Sequence, residues 1–254
     1  MINLIFKKVY TFFKDIEGYF TLQSQVIRYL PRAIIDRKLI LDQMVHIGVN
    51  SLVLVSIIGL FTGAVSAWQA AYQMRGLVPL SILGSSVPKA IIIELGPVLS
   101  AIVLAGRIGA SISAEIGTMK VTEQIDALEA MAINPIRYLA TPRIVATTIM
   151  LPILIIYSSA IAIIGAYIVS TAFLDVSGGV FISGFRKSFE IGDVNAAFVK
   201  GTFFGLAISS IGCYVGFQTS GGAEGVGLST IKSFVICAAM ILILDAILWN
   251  FLIG

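Results

Sequence analysis

Three long stretches of the sequence carry no formal charge, and they limit what the chain can fold into. They cover residues 47–74, 144–174 and 201–223, which are runs of 28, 31 and 23 residues. A helix needs about 20 predominantly apolar residues to cross a bilayer. Only 12% of all residues are charged, about half the share of an average soluble protein. These features predict an integral membrane protein.

Two further stretches are apolar but contain charges. Residues 90–114 include Glu94 and Arg107, and residues 233–254 include Asp245. Both are long enough to cross a bilayer. We therefore expect an all-α membrane protein with five transmembrane helices. Between the first two spans, residues 75–89 contain two prolines and two glycines, which favour a loop or a short re-entrant piece.

The first 45 residues have a different pattern. Apolar residues recur there at spacings of three and four, with lysines and acids between them: Phe6, Val9, Phe13, Ile16 and Phe20. This periodicity predicts an amphipathic helix on the membrane surface, or a soluble cap packed on a partner protein. The early charges do not fit a signal peptide, so we expect the segment to be retained. The predicted organisation is an N-terminal interfacial region, 1–45, followed by a five-span domain, 46–254.

The distribution of basic residues predicts the orientation. Loops on the N-terminal side, 1–45, 115–143 and 224–232, hold 11 Lys and Arg residues, whereas the opposite set holds 5. Those 5 are Arg75, Lys89, Arg186, Lys187 and Lys200. Because basic loops stay in the cytoplasm, we expect a cytoplasmic N-terminus and an external C-terminus.

Residues 122–132 form an acidic amphipathic pattern in the cytoplasmic loop after the second span. Thr122 is placed to cap a helix, and the sequence Asn134-Pro135 to end it. One side of this helix is apolar, and the other carries three acids, Glu123, Asp126 and Glu129. Such a helix is suited to docking in a groove on a soluble partner. An ordinary solvated loop helix is the alternative.

Charges inside the spans are candidates for function. A charge at the bilayer centre costs at least about 2.5 kcal/mol, so it usually faces protein or water. Glu94 and Arg107 are 13 residues apart, so they cannot pair on a straight helix. Together with Asp245 they form either interfacial anchors and a buried polar contact, or the polar lining of a substrate path.

Several other functions are not indicated. The segment Gly179–Ser188 is the nearest match to a phosphate-binding loop, but Phe185 follows its second glycine. His46 is the only histidine, so we expect no catalytic site and no metal site in this chain. A net charge of +3 does not point to nucleic acid. Cys213 and Cys237 fit small buried hydrophobes.

Small residues at four-residue spacing predict close helix packing. The pairs are Gly59/Gly63 in the first span, Gly106/Ala110 and Gly109/Ser113 in the second, and Gly201/Gly205 and Gly212/Gly216 in the fourth. The pattern leaves open whether these helices pack within one chain or across a homodimer.

The stretch ELGPVLSAIVLAGRIGASISAEIGTMKVTEQIDALEAMAINPIRYLATPR, residues 94–143, closely resembles the signature region of the MlaE permease family. Members of this family are membrane subunits of Mla-type ABC lipid transporters. The resemblance implies a homodimer in the bacterial inner membrane, with a cytoplasmic ABC ATPase that binds ATP and Mg. It also implies an MCE-domain protein on the outer face and, in some relatives, a STAS-domain protein. The implied cargo is phospholipid moved between inner and outer membranes, or a sterol or another lipid in actinobacterial relatives.

The resemblance also assigns roles to residues. Thr122–Ala132 would be the coupling helix, with Glu123, Asp126, Leu128 and Glu129 as ATPase contacts. We further hypothesise a lipid cavity in the dimer, with acyl chains against Leu60, Val65 and Leu99 and the headgroup near Glu94 and Arg107.

Two other functions stay open at this point. One is an autonomous ion- or proton-coupled carrier that uses Glu94, Arg107 and Asp245 as its path. The other is a scaffold that recruits a cytoplasmic protein.

Overall fold

The chain is an all-α membrane protein. The computed structural model describes residues 2–31 and 36–252, with side chains from residue 13 onward, and this part of the chain forms eight helices and no strand. Five of the helices are long and apolar enough to cross a membrane, which confirms the predicted fold class. In chain order the helices are α1 Ile2–Tyr29, α2 Arg37–Met74, α3 Leu80–Val121, α4 Gln124–Ala130, α5 Ile136–Phe173, α6 Gly178–Ser188, α7 Ile191–Phe217 and α8 Gly222–Leu252.

Helix α1 is amphipathic from Phe13 onward, where its side chains are described. Leu22 and Val26 are buried, whereas Phe13, Phe20 and Ile27 are each 64% exposed. The side chains of Phe6 and Val9 lie outside the described residues. An exposed aromatic and aliphatic face on a helix with interspersed charges is typical of a helix at a membrane surface, and that placement stays a prediction.

Helix α3 begins earlier than the sequence predicts. The predicted loop, residues 75–89, is helical from Leu80, and the helix continues through Pro88. Proline removes one backbone donor and crowds the carbonyl four residues before it, but membrane helices tolerate it where neighbours stabilise the backbone. Here α6 supplies the neighbour, because a Cβ on Gly184 would lie 3.1 Å from the carbonyl carbon of Gly84.

The last two long helices also begin before their predicted starts. Helix α7 starts at Ile191 and α8 at Gly222, so Lys200 lies inside a helix and not in the predicted outer loop. The predicted loop 224–232 is helical too, since it lies within α8. The turn between these helices is short because Gly221 and Gly222 adopt φ values of 91° and 67°, a conformation that glycine takes at no steric cost.

The chain divides into two compact units. Unit 1 comprises residues 1–44, 105–147 and 206–239, and unit 2 comprises residues 45–104, 148–205 and 240–254. Each of the five long helices contributes a portion to both units.

In unit 2, α2 and α5 are packed backbone against backbone. A Cβ on Gly59 would lie 2.7 Å from the carbonyl oxygen of Ser158. A Cβ on Gly63 would overlap the carbonyl of Ala162, and one on Gly165 would overlap that of Leu60. The Gly59/Gly63 pair therefore packs within one chain, as small residues do where membrane helices approach closely.

In unit 1, glycines bring α3 and α7 together in the same way. A Cβ on Gly212 would lie 2.9 Å from the carbonyl oxygen of Gly109, and one on Gly216 would lie 2.8 Å from the Cβ of Ile116. The Gly109/Ser113 and Gly212/Gly216 pairs thus also act within one chain.

We predict that Gly63→Ala destabilises the purified protein. The added methyl group would force α2 and α5 apart, and overpacking of this kind costs roughly 1–3 kcal/mol. The apparent unfolding temperature in detergent should fall by several degrees. Gly179→Ala is the control, since nothing lies within 4 Å of a Cβ at Gly179. Equal unfolding temperatures for the two variants would contradict this packing.

Candidate functional site

A buried lysine organises the charges within unit 2. The Lys200 side chain is fully buried, and its Nζ lies 2.6 Å from Glu94 Oε2 and 2.7 Å from Asp245 Oδ1. The ammonium also donates to the carbonyl oxygen of Ile93 at 3.2 Å and lies 5.1 Å from the ring centre of Trp249. Two carboxylates, a carbonyl and an aromatic face therefore surround one cation.

The backbone of α3 explains why the carbonyl of Ile93 accepts from a side chain. In an α-helix this oxygen would accept from the N–H of residue 97, but Pro97 has none. The helix forms a π turn here, Ile91–Leu95, and the N–H of Gly96 bonds the carbonyl of Ile91. Glu94 lies on this turn and points to the same cation.

The three charges are not equally accessible. The side chain of Lys200 is 0% exposed and that of Asp245 12%, whereas that of Glu94 is 37% exposed. The formal charges sum to −1. The cluster therefore presents one partly exposed carboxylate that is held in place by a buried cation, and this carboxylate can accept hydrogen bonds from a polar or cationic group.

The sequence interpretation missed Lys200 because it began the fourth span directly after the charge, at residue 201. Phe198, Val199, Phe203 and Phe204 flank this lysine on both sides, a pattern that fits a lysine inside a span better than one in a loop. Of the three predicted intramembrane charges, Glu94 and Asp245 meet at Lys200.

Arg107, the third of these charges, belongs to unit 1. It is half-buried and lies on a second π turn of α3, Ala105–Gly109. Inserted π turns occur often at functional sites. Its assignment to a lipid headgroup stays a prediction.

The predicted acyl-chain contacts are exposed in the single chain. Leu60, Val65 and Leu99 are 36%, 57% and 39% exposed. Val65 also lines a groove of about 380 Å³ together with Trp68 and Tyr72. Apolar side chains with this exposure are available to lipid or to another protein surface.

In unit 1, α4 has the amphipathic character that the sequence predicts. Ile125 is buried and Leu128 is half-buried, whereas Glu123, Asp126 and Glu129 are exposed. Asp126 pairs with Lys120 at 3.0 Å. The apolar side of α4 is thus packed inside the unit, and its acidic side faces outward.

The ends of α4 differ from the prediction. Thr122 does not cap the helix, because its hydroxyl donates to the carbonyl of Thr118 in the preceding turn. The helix starts instead after Glu123, which has a left-handed φ of 60°. Asn134 does not end α4 but caps α5, where its Oδ1 accepts from the N–H of Ile136 at 3.0 Å.

The C-terminal end of α4 is fixed by a second left-handed residue. Ala132 has a φ of 58°, and the N–H of Ile133 bonds the carbonyl of Leu128 at 2.9 Å. This closure usually uses glycine, because a left-handed residue with a side chain costs roughly 1–2 kcal/mol. Non-glycine residues in this conformation therefore flank α4 on both sides.

Two ion pairs connect the segments around α4. Arg143 contacts Glu115 at 3.0 Å and also donates to the carbonyl of Leu139 at 3.0 Å. Arg137 forms a bidentate ion pair with Asp36, in which Nε lies 2.9 Å from Oδ2 and Nη2 lies 3.0 Å from Oδ1.

A model of the family described as Permease MlaE matches residues 40–251. This chain belongs to the MlaE permease family. The match covers α4 and nearly all of the five long helices, and it includes the Lys200 cluster.

Curated relatives of this MlaE-family chain are similar over most of their length. The probable ABC transporter permease protein of Rickettsia typhi is 37% identical over 95% of this chain and 93% of its own length. A probable ABC transporter permease protein of Synechocystis is 36% identical over 88% and 85%. The intermembrane phospholipid transport system permease protein MlaE of Haemophilus influenzae is 35% identical over 85% and 83%.

The chain is accordingly a multi-pass permease subunit of an ABC transporter, a transport component that is not itself catalytic. The segment that comes nearest to a phosphate-binding loop, Gly179–Ser188, lies within α6 of this MlaE-family permease. The Ser177 hydroxyl caps that helix by accepting from the N–H of Val180.

We predict that Lys200→Met strongly destabilises this MlaE-family permease. The substitution leaves Glu94 and Asp245 facing each other without a cation, and removal of one partner of a buried ion pair costs about 3–5 kcal/mol. The triple variant Lys200→Met, Glu94→Gln, Asp245→Asn removes all three charges and should lose much less stability. Apparent unfolding temperatures in detergent test this. A single variant as stable as the wild type, or less affected than the triple variant, would refute the role of the cluster.

Proposed function

We propose that this chain moves phospholipid between the inner and outer membranes, as a homodimer driven by a cytoplasmic ABC ATPase. The observation that carries the proposal is α4, a short helix packed through Ile125 that presents exposed acids on its other side. A membrane chain with such a helix can receive a mechanical input from a soluble partner. The ATPase would bind ATP and Mg, and α4 would be the coupling helix.

The substrate class is proposed from similarity and from the surface of unit 2. The Haemophilus influenzae relative is named an intermembrane phospholipid transport permease. Leu60, Val65 and Leu99 are exposed and suit contact with acyl chains, which are as apolar as these side chains. The partly exposed Glu94, held by Lys200, suits contact with a polar headgroup, and Arg107 is the second candidate.

The remaining partners follow from family membership. We propose that a second copy covers part of the exposed apolar surface and closes the lipid cavity. An MCE-domain protein on the outer face would receive or deliver the lipid, and a STAS-domain protein would bind the ATPase.

The proposed orientation places the N-terminus in the cytoplasm and the C-terminus outside. It rests on the distribution of basic residues, with 11 in the segments predicted to lie inside and 5 in the segments predicted to lie outside.

We predict that Glu224→Cys is protected from a membrane-impermeant thiol reagent in intact cells, whereas Lys187→Cys is labelled. Glu224 and Lys187 are both exposed, and they lie on the proposed inner and outer faces. The native Cys213 and Cys237 are buried, so they should contribute little background. After the cells are opened, both positions should react. The reverse labelling pattern in intact cells would overturn the orientation.

We predict that the double variant Glu123→Gln, Glu129→Gln weakens coupling to the ATPase. Each exposed charge contact contributes roughly 0.5 kcal/mol, so loss of two, about 1 kcal/mol together, should lower transport by about five-fold. The Asp126–Lys120 pair stays intact in this variant, which preserves α4. The measurement is ATP-dependent transfer of labelled phospholipid in proteoliposomes that contain the natively copurified complex.

Asp175→Asn is the matched control for this double variant, because Asp175 is exposed and lies on the proposed outer face. Its transport should equal that of the wild type. Full transport by the double variant would remove α4 from the coupling pathway. Transport by the permease alone, without the ATPase, would favour an ion-coupled carrier built on Glu94, Lys200 and Asp245.

A further inference from the structure

Arg137 and Asp36 form an ion pair that joins two distant segments of unit 1. The guanidinium Nε donates to Asp36 Oδ2 at 2.9 Å and Nη2 donates to Oδ1 at 3.0 Å, across 101 residues of sequence. This bidentate geometry fixes the relative orientation of the guanidinium and the carboxylate as well as their distance, which a lysine cannot do.

Arg137 is held tightly to the end of α4. The Asn134 carboxamide oxygen accepts from the backbone N–H groups of Ile136 and Arg137, at 3.0 and 3.1 Å. Pro135 between them is buried, and Ile133 is bonded back to Leu128 of α4. The segment from α4 to Arg137 therefore has little freedom, and a displacement of α4 would carry the guanidinium with it.

Asp36 lies at the start of α2. It directly precedes Arg37, the first residue of the helix, and its carbonyl accepts from the N–H of Ile40 in the first turn. Helix α2 continues to Met74 and carries Leu60 and Val65, two of the proposed lipid contacts.

The chain itself connects α4 only to its sequence neighbours, α3 and α5. The second ion pair near α4, Arg143 with Glu115, joins these same two helices, so it adds no new connection. The Arg137–Asp36 pair does, because it ties the first turn of α5, which directly follows the loop after α4, to the first turn of α2.

We propose that the Arg137–Asp36 pair is a coupling link: Arg137 and Asp36 are positioning residues that pass the displacement of α4 to α2. This inference rests on the proposed function, in which an ATPase moves α4. The side chains of Arg137 and Asp36 are 36% and 21% exposed, so water can replace part of the contacts of each partner when the other is removed. Loss of the link should therefore impair coupling much more than folding.

The first test is a charge-swap cycle in the natively copurified complex, reconstituted in proteoliposomes. Asp36→Asn and Arg137→Gln should each lower the phospholipid moved per ATP hydrolysed by about five-fold or more, the lower end of the range for coupling between sites. The swapped variant Asp36→Arg, Arg137→Asp should recover at least half of the loss, and all unfolding temperatures should stay close to that of the wild type.

Glu190→Gln is the matched control for the swap cycle. Glu190 forms an exposed ion pair with Lys89 at 3.0 Å, also across 101 residues, but that pair lies in unit 2 and involves neither α4 nor the first turn of α2. Its transport per ATP should equal the wild-type value. The link would be refuted if the single variants move as much phospholipid per ATP as the wild type, or if the swapped variant recovers none of the loss.

A second readout separates this inference from the identity of the cargo. A fluorophore on Val53→Cys, an exposed position of α2, should change its emission when the ATPase is trapped with ATP and vanadate, and Asp36→Asn should abolish that change. A wild-type complex that shows the change but moves no phospholipid would refute the proposed cargo and keep the link. The link would be refuted if the emission change persists in the Asp36→Asn variant, or if it is absent from the wild type.

Discussion

A cation with no access to water must be matched by nearby acceptors, and in unit 2 that cation is Lys200. Lys200 lies on α7 and its partners come from two other helices: Glu94 and the carbonyl of Ile93 on α3, and Asp245 with Trp249 on α8. An ammonium buried without them would cost several kcal/mol. Formation of the bundle therefore requires α3, α7 and α8 to meet in one register, since a shift of any one of them would leave a charge without a partner.

The helix irregularities lie where charged residues are needed. The described helices contain three π turns, which hold Glu94, Arg107 and Arg137 respectively. A π turn inserts one residue into the helix and rotates the side chains that follow it relative to a regular α-helix. The insertion at Ile91–Leu95 accompanies Pro97, whose missing N–H leaves a carbonyl free for Lys200. If these helices were regular α-helices, the side chains of Glu94, Arg107 and Arg137 would point in other directions.

The sequence predicts the five spans and the amphipathic α4 because both depend on local periodicity. The burial of Ile125 beside exposed Glu123 and Glu129 follows from the 3.6-residue repeat alone. Helix ends are less predictable, since a charge or a proline in the sequence suggests a boundary, whereas both Lys200 and Pro88 lie inside helices. Their burial depends on partners far away in sequence, which a local pattern does not contain.

The candidate site was predictable only in part for the same reason. Glu94 and Asp245 stood out as charges in apolar runs, but nothing in either run shows that they share a cation. The Arg137–Asp36 pair spans 101 residues, and neither residue lies in an apolar run that would mark it. The resemblance to the MlaE family covers the segment that contains Arg137, but it does not predict the contact with Asp36.

The glycine contacts between α2 and α5 have a consequence for how a lipid could enter. Where Gly63 meets Ala162 and Gly165 meets Leu60, the two backbones touch without side chains between them. An acyl chain cannot pass between two helices in such contact, and the helices cannot separate there without losing it. For the proposed lipid cargo, lateral entry from the bilayer would therefore use another face of the permease, and α2 and α5 would form a closed wall of the route.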